Sequence, residues 1–210
     1  MDAKWARPFF ALTAFLVGVE IVMTVILAVP SNPAAFFQTS AGRVFNVFWF
    51  FTIQSNLIVG FTCLALALNP HRTSTVFKVF RLTGVVAITV TFIVFHVALS
   101  SLLDLDTWGQ AANQLQHTVV PILAVVGWVA FGPAGLTSRR VAKLTVIFPL
   151  AYMVATAIRG PLASHYYPYP FTDVHKLGYV RVAINGLWIG LLFVGLAACA
   201  TALDSKLRRP

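Results

Sequence analysis

Six apolar runs make up most of this chain, at residues 8–29, 44–68, 77–103, 112–131, 143–159 and 178–203. A helix rises about 1.5 Å per residue, so about 20 residues cross roughly 30 Å of hydrocarbon. Most of the runs reach that length, and the fourth and fifth lie nearer its lower limit. Loop chemistry separates them: Pro30-Ser31-Asn32-Pro33, Asn69-Pro70-His71-Arg72, Asp104 to Gly109, Gly132-Pro133 and Gly160-Pro161. The composition agrees, with 59% hydrophobic and only 10% charged residues. A soluble domain does not combine so little charge with so much apolar mass. The expected fold is all-α, a six-transmembrane helical bundle forming one integral membrane domain over residues 1–210. The first run is too long for a cleaved signal peptide and lacks a small-residue cleavage site, so it reads as the first span. Cys63 and Cys199 lie in apolar runs near the same face, where a structural disulfide is not expected.

The net charge of +9 would suggest a nucleic-acid partner in a soluble protein. Here it follows the loops. One side collects Lys4, Arg7, Arg72, Lys78, Arg81, Arg139, Arg140, Lys143, Lys206, Arg208 and Arg209. The other holds Arg43, Arg159, Lys176 and Arg181, together with Asp104, Asp106 and Asp173. Basic residues concentrate on the cytoplasmic side of membrane proteins, so both termini are expected in the cytoplasm of a cell-membrane protein. The excess charge is topological, and no nucleic-acid site is expected.

Within the second run, Thr52, Gln54, Ser55 and Asn56 break the apolar pattern. Polar groups at membrane depth are costly unless they face a bundle interior or a wet cavity. Thr52, Ser55, Asn56 and Val59 share one helical face at spacings of three, four and seven, and Gln54 does not. Counting from the outer ends of their helices puts Thr52 at a depth of ~12 Å, His96 and Asn185 at ~10 Å and His117 at ~8 Å. Four helices thus send polar groups into one layer of the outer leaflet.

Each group has an ordinary explanation beside a chemical one. The Thr52 hydroxyl can bond back to the carbonyl one turn earlier, or act as a nucleophile. Asn56 can join helices or donate to a developing oxyanion. His117, with Asn113 four residues before it and Pro121 four after, can decorate an interface or serve as a general base. Its polar neighbours can fix its tautomer, and Pro121 can free a carbonyl nearby. His96, with Ser100 one turn outward, can be a second base, an orienting group or a helix-joining hydrogen bonder. Glu20 is the one acid within a span, and Arg181 is its expected ion partner, with Arg159 next. Two histidines without a neighbouring carboxylate or cysteine are a weak metal signal, so no metal or other cofactor is expected. The stretch Ser164-His165-Tyr166-Tyr167-Pro168-Tyr169-Pro170-Phe171 reads as an aromatic belt or a stiff lid.

Three stretches carry a family resemblance: Trp49-Phe50-Phe51-Thr52, His117-Thr118-Val119-Val120-Pro121 and Tyr169-Pro170-Phe171. They resemble the androgen-induced protein family, which includes the androgen-dependent TFPI-regulating protein. The Gln-Ser-Asn after Thr52 and the extended Tyr-Pro-Tyr-Pro-Phe are similar to its bacterial-type relatives. The resemblance covers most of the chain in topology and about fifteen residues in motif. It implies a six-span membrane hydrolase of fatty acid esters of hydroxy fatty acids, with Thr52 as nucleophile and a histidine as base. Anchored on Pro121 without a gap, the catalytic position falls on Gln116; anchored on the chemistry, it falls on His117, with His96 as the other base to weigh.

Two functions follow as expectations. The first is an intramembrane lipid-ester hydrolase that uses Thr52 and His117, supported by Asn56, Ser55, His96, Asn185, Glu20 and Arg181, with a fatty acyl ester as substrate. The alternative is a lipid-binding or transport bundle with a polar headgroup pocket in the outer leaflet. That alternative depends on Glu20, Arg181 and His96 more than on Thr52. Nothing in the chain specifies an oligomeric state.

Overall fold

A computed structural model describes residues 3–132 and 134–207. Pro133, Arg208 and Arg209, which entered the reading of loops and charge, lie outside them. Nine α-helices appear among the described residues: α1 (Ala6–Ala28), α2 (Ser40–Val47), α3 (Phe51–Leu68), α4 (Thr75–Val94), α5 (Thr107–Gln114), α6 (Val120–Phe131), α7 (Arg139–Thr145), α8 (Ile147–Leu162) and α9 (Val174–Leu207). No strand occurs among them. With α2 standing apart, short joints combine the others into six helices long and apolar enough to cross a membrane: 6–28, 51–68, 75–102, 107–131, 139–162 and 174–207. The architecture is an all-α six-helix bundle of the multi-pass membrane type.

The burial pattern is that of a bundle with a lipid-facing exterior. In α1 the buried residues are Ala6, Phe10, Thr13, Val17 and Glu20, a three–four repeat that lays one stripe against α3. The approach is close at Gly60, where a β-carbon would come within 2.8 Å of Val17. Leu12, Phe15, Val22 and Ile26 point outward. Helix α4 is the hub. It packs on α3, α6, α7 and α9, and its residues 81–88 are buried without interruption. A helix apolar all round belongs at the centre of its bundle. Arg81, assigned by sequence to the basic loops, lies within this buried stretch, its guanidinium 5.2 Å from the centre of the Phe10 ring. Two apolar clusters result, one joining α1, α3, α4 and α6, the other α4, α7 and α9. At the end of α9 the Asp204 carboxylate accepts from the Gly135 and Thr137 amides and from the Thr137 hydroxyl, which fastens the loop between α6 and α7.

Three interruptions inside the expected spans position the site. The second span, expected as one helix over 44–68, divides into α2 and α3 around an extended Phe50. Non-helical backbone at such depth needs partners for its freed carbonyls. The Gln54 amide donates to the Phe48 carbonyl and the Tyr152 hydroxyl donates to that of Trp49. The third and fourth spans each contain a π-helical turn, Phe95–Leu99 after α4 and Leu115–Val119 between α5 and α6. Each of these widened turns carries one of the two intramembrane histidines. π-turns inside α-helices are rare and frequently sit at functional sites.

Candidate active site

The break before α3 makes Thr52 the second residue of a helix rather than a mid-helix residue. The consequence shows against the other threonines. Thr13, Thr24, Thr62, Thr89 and Thr201 all donate to the carbonyl four residues earlier, the ordinary fate of threonine in an apolar helix. For Thr52 that carbonyl belongs to Phe48, which already accepts from Gln54. Its hydroxyl instead lies 3.3 Å from His117 Nε2 and 3.3 Å from the Tyr169 hydroxyl. Thr52 is 6% exposed, and that small exposure opens into a cavity.

His117 is oriented from its other side. Its Nδ1 lies 3.2 Å from the Asn113 carbonyl. A carbonyl only accepts, so Nδ1 carries the proton and Nε2 turns its lone pair toward the Thr52 hydroxyl. The ring is also clamped by Phe95, stacked at 3.9 Å between centroids and 19° between planes. Both rings come from π-turns, so the two widened segments meet face to face. Gln116, the other residue that sequence alignment allowed at this position, turns toward α1 and away from Thr52. It donates to the Thr24 hydroxyl on α1.

Tyr169 completes the group. It accepts from the Thr52 amide at 3.2 Å, and its own proton is directed at the Thr52 oxygen. The donors therefore run in one sense, from Tyr169 to Thr52 to His117 to the Asn113 carbonyl. Burial pushes the Tyr169 hydroxyl above the ordinary tyrosine value, and its bonds to Thr52 pull it partly back. It therefore remains a neutral donor. Its ring stacks in parallel on Phe171 at 5.2 Å, and the Phe171 carbonyl accepts from Asn185. At Gly160 a β-carbon would run into the Tyr167 ring. The loop packs directly onto the backbone of α8.

The cavity beside Thr52 has a volume of about 530 Å³ and lies between α4, α8 and α9. Val90, Val94, Leu150, Met153, Leu187 and Phe193 are among its walls. Thr52 and Tyr169 bring polar groups into that apolar lining. Such a cavity, with a few convergent polar groups, has the form of a site for an apolar ligand whose reacting group is held at one end.

Other expected site residues take different roles. Asn56 is not an oxyanion donor: its amide donates to the Thr52 carbonyl at 2.9 Å and the Gln116 carbonyl at 3.3 Å. The second of these is the carbonyl that the π-turn and the missing N–H of Pro121 leave without a helical partner. Asn56 thus ties α3 to the histidine helix. Ser55 bonds the Thr52 carbonyl and the Thr91 hydroxyl. Asn185 holds Phe171 and does not reach Thr52. His96 faces away, bonded to the Thr118 hydroxyl at 3.2 Å. The Glu20–Arg181 pair does not form. Arg181 is exposed, and the buried Glu20 carboxyl oxygens have no hydrogen-bond partner. Arg159 is committed elsewhere, donating to Asn46 and lying 4.7 Å from the centre of the Trp49 ring. Sequence reasoning missed Tyr169 and Phe95 as site members. The signals were present in the tyrosine of Tyr169-Pro170-Phe171 and in Phe95 next to His96, but neither shows which group it will meet in the fold.

Compared with protein-family models, curated proteins and solved structures, the chain gives no match. The class defined by fold and geometry is therefore a multi-pass, all-α membrane bundle. Its most developed polar constellation is a hydroxyl, an imidazole and a phenol at the end of an apolar cavity.

Proposed function

We propose that this chain is an intramembrane hydrolase of lipid esters, with Thr52 as nucleophile and His117 as general base. The observation that carries this is the Thr52 hydroxyl, diverted from its helix and aligned on an imidazole nitrogen whose tautomer is fixed by a backbone carbonyl. Nucleophile, base and orienting group within hydrogen-bond reach are the signature of covalent acyl transfer. His117 Nε2 takes the Thr52 proton as Oγ1 bonds to the ester carbonyl carbon. The oxyanion forms near the Tyr169 hydroxyl, to which the first amides of α3 are themselves directed, Thr52's at 3.2 Å. Collapse breaks the bond to the alcohol oxygen, which leaves with the proton from His117. A water, deprotonated in turn by His117, attacks the acyl-threonine, releases the fatty acid and restores Thr52. The apolar cavity suits the acyl chain.

The resemblance to the androgen-induced protein family supports the same pair of residues, with His117 rather than Gln116 as base because Gln116 turns to Thr24. The lysine and arginine asymmetry supports a cell-membrane protein with both termini cytoplasmic and the site in the outer leaflet. Its partners are the bilayer and a lipid ester. The test is labelling of the full chain by a fluorophosphonate probe. Wild type is expected to label and Thr52→Ala and His117→Ala to lose labelling. A folded Thr52→Ala that labels as strongly as wild type removes Thr52 as nucleophile.

A further inference from the structure

The cavity beside Thr52 has a long axis and an open side. Its α9 wall runs from Val182 to Val194, a rise of roughly 18 Å at about 1.5 Å per residue. Tyr169 and Phe171, from the loop before α9, line one end together with Thr52. Val146, at the start of α8, and Phe193, far along α9, line the other. Half of a hydrocarbon core about 30 Å thick is roughly 15 Å, so the cavity is about as deep as one leaflet.

The open side faces lipid. Helix α9 packs on α4, α7 and the turn 170–172, and α8 packs on α7, but among the described residues α8 and α9 form no extended contact. Leu150 and Met153 of α8 and Leu187, Leu191 and Val194 of α9 line the cavity and are exposed as well. Residues that line a cavity and also lie on the surface mark its mouth. On membrane-spanning helices that mouth opens sideways into hydrocarbon. Met153 crosses it, with its methyl group where a β-carbon at Gly186 would stand. One turn further, Gly190 also lines the cavity, and a β-carbon there would meet nothing within 4 Å. On the orientation that the lysine and arginine asymmetry supports, an outer-leaflet lipid lies as the cavity does, its carbonyl toward the outer surface and its chain toward the midplane. It can pass sideways without turning and without its chain meeting water. Hydrocarbon is exchanged for hydrocarbon, so the fit of the chain sets the preference rather than escape from water.

We infer that the mouth between α8 and α9 admits a long-chain acyl ester sideways from the outer leaflet, and that the free space at Gly190 holds the distal part of the acyl chain. The inference rests on the hydrolase reading and names the acyl half of its substrate class and the route by which it enters.

The experiment offers the full chain, in vesicles, palmitoyl and butyryl esters of one alcohol. Wild type is expected to turn over the palmitoyl ester at least as fast in kcat/KM. Gly190→Phe fills the distal space and should lower the palmitoyl-to-butyryl ratio by about tenfold or more, the scale of overpacking an apolar site. Gly195→Phe, at a glycine equally free of neighbours but outside the cavity, should leave the ratio within about twofold of wild type. Met153→Trp thickens the bridge across the mouth and should lower kcat/KM for the palmitoyl ester by about tenfold, with a smaller change in kcat. A wild type that excludes the palmitoyl ester, a ratio that falls no further in Gly190→Phe than in Gly195→Phe, or an unchanged kcat/KM in Met153→Trp overturns this inference alone. A second arm leaves Gly190 intact: Thr52→Ala is irradiated with a palmitoyl ester that carries a diazirine at the end of its chain. Adducts at Phe193 or Val146 are expected, and their absence overturns the acyl site. Absence of turnover with both esters overturns the hydrolase reading, and adducts at Phe193 would then show the acyl site standing without it.

Discussion

The turns Phe95–Leu99 and Leu115–Val119 are the same backbone device used twice, each presenting a histidine whose Nε2 lies near a threonine hydroxyl. His117 meets Thr52 at 3.3 Å and His96 meets Thr118 at 3.2 Å. A histidine–threonine contact is therefore not in itself a reactive pair. The surroundings separate them. His117 has a carbonyl that fixes its tautomer, a stacked ring that immobilises it, and a threonine that opens into an apolar cavity beside a phenol donor. His96 is exposed and lines a separate, open cavity of mixed polar and apolar residues that includes Asp104 but not Thr52. Orientation, exclusion of water and a place for the carbonyl are what make a threonine–histidine contact competent for acyl transfer.

Substitutions should separate the two turns in a graded way. Thr52→Ala is expected to cost the most, about a thousandfold or more in ester turnover, because no other group can form the acyl bond. His117→Ala should fall close behind, in the 10²–10⁴ range of general-base loss, measured as kcat/KM on one ester. Tyr169→Phe removes one donor to the oxyanion and should lower kcat by about a hundredfold with little change in KM. A Tyr169→Phe enzyme as fast as wild type would move the oxyanion site to the α3 amides alone. Phe95→Ala removes the ring stacked on His117 and frees the imidazole; a loss of about tenfold is expected, with part of it in KM. His96→Ala should stay within about threefold of wild type. If His96→Ala instead matched His117→Ala, the distinction between the two turns would be lost and His96 would have to be the base.

The spans were legible because length, hydropathy and loop residues act over twenty residues at a time. Their ends moved by a few residues, as at 178–203 against 174–207. The face shared by Thr52, Ser55 and Asn56 was legible from helical spacing, and all three are buried. The break at Phe48–Phe50 was not, since it contains neither proline nor glycine and is sustained by Gln54 and Tyr152, residues distant from each other in sequence. The π-turns were equally silent, apart from the hint of Pro121. Asn56 was read as a possible oxyanion donor because composition shows that an amide is present, whereas its acceptors depend on neighbouring helices. The Glu20–Arg181 pairing failed for a related reason. Opposite charges at similar depth need not face each other, and Arg181 turns outward.

The most direct measurement locates the covalent adduct itself. Wild type, His117→Ala, His96→Ala and Thr52→Ser would be treated with the fluorophosphonate probe, digested and read by mass spectrometry. The account predicts an adduct on residue 52 in wild type, His96→Ala and Thr52→Ser, and none in His117→Ala. An adduct on Ser55 or Tyr169, or undiminished modification of Thr52 in His117→Ala, would contradict it.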